Sequence, residues 1–271
     1  MQPIVEMQWV SEHRDEIVLA DVRWYLDGRS GKEEYEAGHA PGAVFVDLDR
    51  WLAAPPTSRD GRHPLPEPDV FSEGMSRCGI SDESVVVAYD DAGGVIAARL
   101  VWMLRVTGHE AAILNGGITN FTGALESGRG VAPVVGTFAA RAWPTSLLAT
   151  IDDATDRGQI VIDARDRDRY EGLANRIDRR FGHIPGARNV PCRENIDRDG
   201  RLKPKAVVRA TFEAAGVRPG ASVVSYCGSG VTACHNLLLM EWAGLGRGRL
   251  FPGSWSQYEG VSLPAATGSL P

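Results

Sequence analysis

The stretch SVVSYCGSGVTACHNLLLM, residues 222–240, contains Cys227 directly after a valine-rich run that is typical of a β-strand. A glycine-rich turn and the start of a helical pattern follow the cysteine. Their residues are Gly228, Ser229, Gly230, Val231 and Thr232. In such a turn the backbone N–H groups point into one concavity, and the helix N-terminus adds partial positive charge. The stretch therefore predicts a nucleophilic thiolate held in a cradle of amides.

The first half of the chain contains a counterpart of this stretch. Residues 84–104, SVVVAYDDAGGVIAARLVWML, match residues 222–240, but Asp90 stands where the second copy has Cys227. Three further pairs of segments match in the same order, namely 18–28 with 160–170, 38–44 with 182–188, and 113–121 with 250–258. We therefore expect a duplicated domain in which the second copy is chemically active and the first copy is silent.

The pattern within each half indicates the fold class. Runs rich in valine and isoleucine without polar alternation are separated by helical patterns, which is typical of a parallel sheet covered by helices. We predict an α/β fold of two tandem domains, each a parallel β-sheet flanked by helices on both faces. The expected boundaries are an inactive N-terminal domain at 1–128, a linker at 129–150 and a catalytic C-terminal domain at 151–271. In such sheets sites form at the carboxyl ends of strands, which is where Cys227 falls.

The composition excludes several classes of protein. The 271 residues are 43% hydrophobic and 24% charged, with a net charge of −6. An acidic balance argues against nucleic acid as a partner, and no apolar run reaches the length of a membrane span. The N-terminus has no secretory signal pattern, so we expect the four cysteines to be reduced thiols in the cytoplasm. The cysteines do not form two CxxC pairs, so no metal site is predicted.

Two chemistries use a cysteine in an amide cradle, phosphate-ester cleavage and sulfur transfer. Cysteine phosphatases need an arginine six residues after the cysteine to bind the phosphate oxygens. Here that position is Ala233, so a phosphatase is disfavoured and sulfur transfer is favoured.

The chain resembles the tandem-domain rhodanese-type sulfurtransferases over nearly its whole length. CGSGVTA (227–233) is similar to the active loop of the 3-mercaptopyruvate sulfurtransferases, whereas the thiosulfate-preferring rhodaneses have basic residues there. Other similar segments are DVRW (21–24), DAR (163–165), the two GHxPGA motifs and PGSWSQY (252–258). The resemblance implies a silent N-terminal domain and an active C-terminal domain, in agreement with Asp90 opposite Cys227.

The resemblance also implies a two-step reaction that needs no metal or organic cofactor. The Cys227 thiolate takes the sulfur of 3-mercaptopyruvate and becomes a persulfide, and pyruvate leaves. A thiol acceptor, such as a thioredoxin-like dithiol protein, or cyanide then removes the sulfur. Thiosulfate is a dianion that a cationic loop would bind, and this loop is neutral, so 3-mercaptopyruvate is the donor we expect.

By the same resemblance, arginines after the first strand of the second half bind the donor. Arg169, which precedes Tyr170, matches the first substrate-binding arginine of the family, and Arg176 matches the second. The segment is shorter here than in the family, so Arg179 or Arg180 are alternatives for the second arginine. Guanidinium groups suit a carboxylate because they bind both of its oxygens.

Proton transfer is assigned to residues from both halves. Ser229 matches the loop serine of the mercaptopyruvate enzymes, and His63 and Asp47 match the histidine and aspartate that the family places in its N-terminal domain. A Ser–His–Asp arrangement can move a proton as pyruvate leaves. Arg165 is expected to support the active loop through an ion pair with Asp163.

Two other functions remain open from the sequence. A thiosulfate:cyanide sulfurtransferase would differ only in its donor. A non-catalytic sulfur-carrier or regulatory binding module would require neither an intact loop nor arginines that bind the donor.

Overall fold

The structure, a computed structural model, describes residues 1–130, 133–173 and 175–271. Of the predicted linker 129–150, Val131 and Ala132 thus lie outside the described residues. The chain divides into two compact units, and each unit contains one segment from the other half of the sequence. The first unit comprises Met1–Ala54, Leu65–Trp143 and Ile196–Leu202, and the second comprises Pro55–Pro64, Pro144–Asn195 and Lys203–Pro271.

The first unit is built on a five-stranded parallel sheet. Its strands are β1 (Ile4–Val5), β2 (Ile17–Asp21), β3 (Val44–Phe45), β4 (Val85–Tyr89) and β5 (Ala111–Leu114). They are arranged in the order β1-β5-β4-β2-β3, and every neighbouring pair is parallel. The helices are α1 (Met7–Glu12), α2 (Gly31–Ala37), α3 (Pro68–Arg77) and α4 (Ala97–Val106), and a π-helical turn spans Leu48–Leu52.

The second unit is built on a four-stranded parallel sheet. Its strands are β6 (Ile160–Asp163), β7 (Arg188–Asn189), β8 (Val223–Tyr226) and β9 (Arg249–Leu250), in the order β7-β6-β8-β9. Its helices are α5 (Ile151–Thr155), α6 (Arg167–Glu171), α7 (Lys205–Ala214), α8 (Ala233–Trp242) and α9 (Ser254–Tyr258). The prediction of an α/β fold with two parallel sheets flanked by helices is confirmed.

Uninterrupted apolar strands explain why both sheets lie inside their units. All four residues of β8 are buried, and so are the last four of β4. In the second unit the core cluster that contains β8 includes the buried aromatic side chains of Tyr226, Phe251, Trp255 and Tyr258. Burial of a side chain of this kind stabilises the fold by about 1.5–3 kcal/mol, so apolar burial on these strands holds the carboxyl end of β8 in place.

The repeated GHxPGA motifs form the same interaction in both units. His39 stacks on Tyr35 with the ring centroids 3.9 Å apart, and its Nδ1 lies 2.8 Å from the Tyr35 carbonyl oxygen. His183 stacks on Tyr170 at 3.7 Å and makes the equivalent 2.8 Å contact. Each histidine therefore packs against the tyrosine of the helix that precedes it, α2 in the first unit and α6 in the second. Within the described ranges, no helix has the length and apolar character needed to cross a membrane.

Candidate active site

Cys227 lies at the carboxyl end of β8, where the chain leaves the sheet and turns into α8. Its side chain is almost fully buried, and the Gly230 backbone N–H donates a hydrogen bond to its Sγ over 3.1 Å. Gly230 has a φ of +81°, and a Cβ at this position would lie 2.4 Å from the Pro252 carbonyl oxygen. A glycine is required here because an L side chain is strained at this φ and would meet backbone. Val231 and Thr232 continue the loop into the first turn of α8, where their carbonyls accept from the next helical N–H groups.

Ser254 holds the backbone of the cysteine in place. Its Oγ accepts a hydrogen bond from the Cys227 N–H over 3.1 Å and donates to the Phe251 carbonyl over 2.8 Å. Among the described residues, Ser254 is the one non-glycine residue with a positive φ, at 51°. A serine in this region costs about 1–2 kcal/mol, which the buried hydrogen bonds offset. The segment PGSWSQY was one of those that resemble the family. Nothing in its sequence indicated which of its residues would adopt a positive φ.

Arg169 reaches the active loop from α6. A Cβ on Gly228 would lie 2.8 Å from Arg169 Nη2, so the guanidinium stands directly over that glycine. Arg169 is fixed by a two-pronged ion pair with Asp178, with Nε–Oδ2 and Nη2–Oδ1 distances of 2.8 and 2.5 Å. Asp178 is buried, which alone would raise the pKa of its carboxyl, but Arg169, Arg165 and Arg62 together lower that pKa below its usual value.

Arg165 is buried and lies next to the ion pair of Arg169 and Asp178. Its Nε and Nη2 bind both oxygens of Asp163, with the closest contact at 2.6 Å, and its Nη2 donates to the Gly182 carbonyl over 2.8 Å. Its guanidinium also lies 4.6 Å from the centre of the Trp255 ring and 3.5 Å from Asp178 through Nη1. Arg165 thus connects Asp163, at the end of β6, with Asp178, which binds Arg169.

Arg62 is a third guanidinium at this site, and it is not among the site residues predicted from the sequence. It belongs to the segment Pro55–Pro64, which lies in the second unit although it comes from the first half of the chain. A Cβ on Gly228 would lie 2.9 Å from Arg62 Nη2, almost the same distance as from Arg169 Nη2. Arg62 Nη1 donates to the Ile177 carbonyl over 3.2 Å. Its position beside His63 in GRHPLP could have indicated a role for Arg62. In that segment only the histidine had been given a function.

His63 lies within hydrogen-bond distance of the active loop. Its Nδ1 is 2.7 Å from Ser229 Oγ, and both residues belong to the second unit. The structure therefore brings together two of the three residues expected to transfer the proton. Asp47 belongs to the first unit, where its Oδ1 accepts from the Arg50 N–H over 3.2 Å at the start of the π-helical turn.

The three candidates for the second donor arginine occupy different positions. Arg176 is exposed, and no described residue hydrogen bonds to its side chain. The backbone N–H groups of Arg179 and Arg180 donate to Glu259 Oε2 over 2.8 and 3.3 Å, and Arg180 Nη1 donates to the Val261 carbonyl. The structure does not bring any of these three guanidinium groups to Gly228 as it does for Arg62 and Arg169.

The counterpart of this loop in the first unit follows β4 and contains Asp90. Asp90 is fully buried, and its two carboxylate oxygens accept four backbone N–H groups at 2.7–2.9 Å. These four donors belong to Ala92, Gly94, Ile96 and Ala97. The turn between β4 and α4 thus forms a cradle of backbone N–H groups around the side chain of Asp90.

Comparison with known proteins places these loops in a family. The rhodanese-like domain matches residues 6–124 and 144–260. A Pseudomonas aeruginosa protein named as a 3-mercaptopyruvate sulfurtransferase is 37% identical over 270 residues, which cover 93% of each chain. A Mycobacterium tuberculosis protein named as a thiosulfate sulfurtransferase is 35% identical over 266 residues, covering 93% of this chain and 91% of that protein. The solved 3-mercaptopyruvate sulfurtransferase from Leishmania major superimposes with a TM-score of 0.86 at 30% identity, covering 96% of this chain and 74% of that one.

Proposed function

This chain belongs to the rhodanese-like family, and we propose that it is a sulfurtransferase that carries sulfur from 3-mercaptopyruvate to a thiol or to cyanide through a persulfide on Cys227. The observation that carries the proposal is the surroundings of Cys227. Its Sγ faces the Gly230 N–H, and two guanidinium groups stand over the adjacent Gly228. An amide donor and two cations at this position can stabilise the negative charge of the attacking sulfur and later that of a persulfide anion.

In the first step the Cys227 thiolate attacks the donor sulfur. An S–S bond forms, the carbon–sulfur bond of 3-mercaptopyruvate breaks, and its electron pair leaves on carbon as the enolate of pyruvate. The proton of the donor thiol is lost and one proton is taken up by the enolate carbon, so that the products are pyruvate and the Cys227 persulfide anion. Ser229 and His63, 2.7 Å apart, are positioned to move this proton.

We also assign Asp47 to proton transfer, as the family resemblance implies. Arg169 binds the donor carboxylate, and the ion pair of Arg165 with Asp163 supports Asp178 and hence Arg169. Gly228 keeps the space above the loop open for the two guanidinium groups, since a side chain there would meet both.

In the second step an acceptor thiolate or cyanide attacks the outer sulfur of the persulfide. The sulfur leaves with the acceptor, and Cys227 returns as the thiolate. A thioredoxin-like dithiol would then close to a disulfide and release hydrogen sulfide, whereas cyanide would leave as thiocyanate. We place the protein in the cytoplasm, where acceptor thiols stay reduced; its four cysteines are all free.

The donor assignment is tested by comparing kcat/KM for 3-mercaptopyruvate and for thiosulfate with cyanide as the acceptor. We expect the larger value with 3-mercaptopyruvate and no turnover of either donor by Cys227→Ser. Cys78→Ala is the matched control, because burial raises the pKa of the Cys78 thiol to about 11 and leaves it unreactive. A larger kcat/KM with thiosulfate would mean that thiosulfate is the donor and that the persulfide mechanism still holds. The name of the Mycobacterium tuberculosis relative refers to that donor.

A further inference from the structure

We propose that Arg62 is the second arginine of the donor site and that it binds the donor carboxylate together with Arg169. The proposal rests on the function proposed above and names a residue in place of the exposed Arg176. Its basis is a comparison of the three arginines of the site, which differ in how their guanidinium groups are used.

Arg165 and Arg169 use the same edge of the guanidinium, formed by Nε and Nη2, to bind a carboxylate. Arg165 binds Asp163 with this edge at 2.6–3.1 Å, and Arg169 binds Asp178 at 2.5–2.8 Å. This side-by-side arrangement is the strongest that an arginine makes with a carboxylate. The Nε–Nη2 edge of each arginine is therefore already filled by a carboxylate of the protein itself, and Arg169 can meet the donor with Nη1, which also lies beside Gly228.

The same edge of Arg62 makes no hydrogen bond with any residue that the structure describes. Its Nε is buried without a partner, and its Nη2 is 3.8 Å from Asp178 Oδ1, longer than a hydrogen bond. The backbone N–H of Arg62 is anchored to Ser256 Oγ at 3.0 Å, and Nη1 is anchored to Ile177. The side chain is thus held from both ends while its carboxylate-binding edge is left unfilled.

The charges around Arg62 also favour an added anion. Asp178 lies within 4 Å of three guanidinium groups, those of Arg62, Arg165 and Arg169. The remaining acidic neighbour, Glu259, is 4.0 Å from Arg62 Nη1 and already accepts two backbone N–H groups through its other oxygen. Burial and the charge of Arg169 lower the pKa of Arg62, and interactions with Asp178, Glu259 and Cys227 act in the opposite direction. A donor carboxylate would satisfy the unfilled edge and compensate a partly desolvated cation.

Arg176 lacks these features. It is exposed and has no described hydrogen-bond partner, so a donor that bound it would have to order a long and flexible side chain. Arg62 is fixed before the donor arrives, and its Nη2 stands at the same glycine as that of Arg169. A pre-ordered pair of cations beside the nucleophile is the arrangement that positions a small anion.

The test uses the full-length protein and compares Arg62→Gln, Arg62→Lys, Arg176→Gln and Arg59→Gln. Arg59 is an exposed residue of the same segment and serves as the matched control. Removing a charged hydrogen-bond partner should lower kcat/KM for 3-mercaptopyruvate about 10- to 100-fold, mainly through KM. The lysine variant should recover only part of this loss, because it keeps the charge and loses the two-pronged geometry.

Two further readouts separate donor binding from a merely structural role. Mercaptoacetone has the ketone and the sulfur of the donor but no carboxylate, so persulfide formation from it should be equally fast in Arg62→Gln and in wild type. The inhibition constant of pyruvate, which keeps the carboxylate and carries no sulfur, should rise in Arg62→Gln by the same factor as KM. A rise in this constant for Arg176→Gln with none for Arg62→Gln would overturn the proposal.

The outcomes distinguish this inference from the proposed function. If wild type gains no sulfur from 3-mercaptopyruvate, the proposed function fails and the inference fails with it. If wild type is active and Arg62→Gln retains the wild-type KM and the wild-type inhibition by pyruvate, only the role of Arg62 is wrong. Equal losses with 3-mercaptopyruvate and mercaptoacetone would likewise show that Arg62 supports the loop and does not bind the carboxylate.

Discussion

His63 Nδ1 lies 2.7 Å from Ser229 Oγ, although the two residues are 166 positions apart in the sequence. The histidine comes from the segment Pro55–Pro64, which the fold assigns to the unit that contains Cys227. A serine and a histidine at this distance can pass a proton beside the nucleophile. The relationship therefore connects the first half of the chain to the chemistry of the second.

Loss of this hydrogen bond should affect the two sulfur donors differently. Release of pyruvate requires a proton on carbon, whereas thiosulfate releases sulfite without one. We expect Ser229→Ala and His63→Gln each to lower kcat for 3-mercaptopyruvate by about 100-fold or more, and the double variant to lose little beyond either single one. Persulfide formation from thiosulfate should change far less. Stopped-flow measurement of the first step with each donor checks this, and equal losses with both donors would remove the proton-transfer role.

Ser254→Ala should destabilise the protein although it touches no substrate. The variant removes the acceptor of the buried Cys227 N–H and keeps the positive φ, so the free energy of unfolding should fall by about 1–3 kcal/mol. Denaturant unfolding measures the change. Ser222→Ala, at an exposed serine of the same unit, is the control, and equal stability of the two variants would mean that the hydrogen bond contributes little.

Asp178→Asn should produce a pH-dependent loss of stability. Asp178 has a lowered pKa in the folded protein, so its ionisation stabilises the fold above the pKa of the unfolded chain, near pH 4. We expect wild type to exceed the variant by about 3–5 kcal/mol above about pH 4, and the difference to shrink as the pH falls through the lower folded-state pKa. Unfolding curves between acid and neutral pH test this. A difference that stays constant down to the lowest pH would contradict it.

Two glycines of the active loop should respond differently to alanine. At Gly230 the positive φ and the Pro252 carbonyl oxygen at 2.4 Å leave no room, so Gly230→Ala should lower the free energy of unfolding by about 1–2 kcal/mol or more. At Gly228 the atoms nearest to a Cβ are side-chain ends, the guanidinium nitrogens of Arg62 and Arg169. Gly228→Ala should therefore fold normally, displace the two guanidinium groups and raise KM for 3-mercaptopyruvate. A large loss of stability at Gly228 would show that the fold does not tolerate this displacement.

The sequence was sufficient for the features that depend on local pattern. The valine-rich runs, the glycine turn after Cys227 and the matching segments of the two halves predicted two parallel sheets with the nucleophile at the end of β8. Each of these follows from residues that are neighbours along the chain or that recur at equivalent places. The position of Cys227 at the end of β8 therefore follows from the amino-acid sequence alone.

The parts that the sequence did not predict depend on contacts between distant segments. Arg62 could not be recognised because nothing in residues 55–64 indicates that they lie in the second unit. The assignment of Arg176 relied on spacing within a loop that is shorter than in the family. The positive φ of Ser254 was hidden for a different reason, since serine rarely adopts it and only the buried Cys227 N–H makes it favourable.

The most direct test is the intact mass of the reduced protein after brief exposure to 3-mercaptopyruvate, with Cys227→Ser measured beside it. We expect a gain of one sulfur atom in wild type, faster with 3-mercaptopyruvate than with thiosulfate, and no gain in the variant. If wild type gained no sulfur from either donor, or if Cys227→Ser gained it as readily, Cys227 would not be the residue that carries the sulfur.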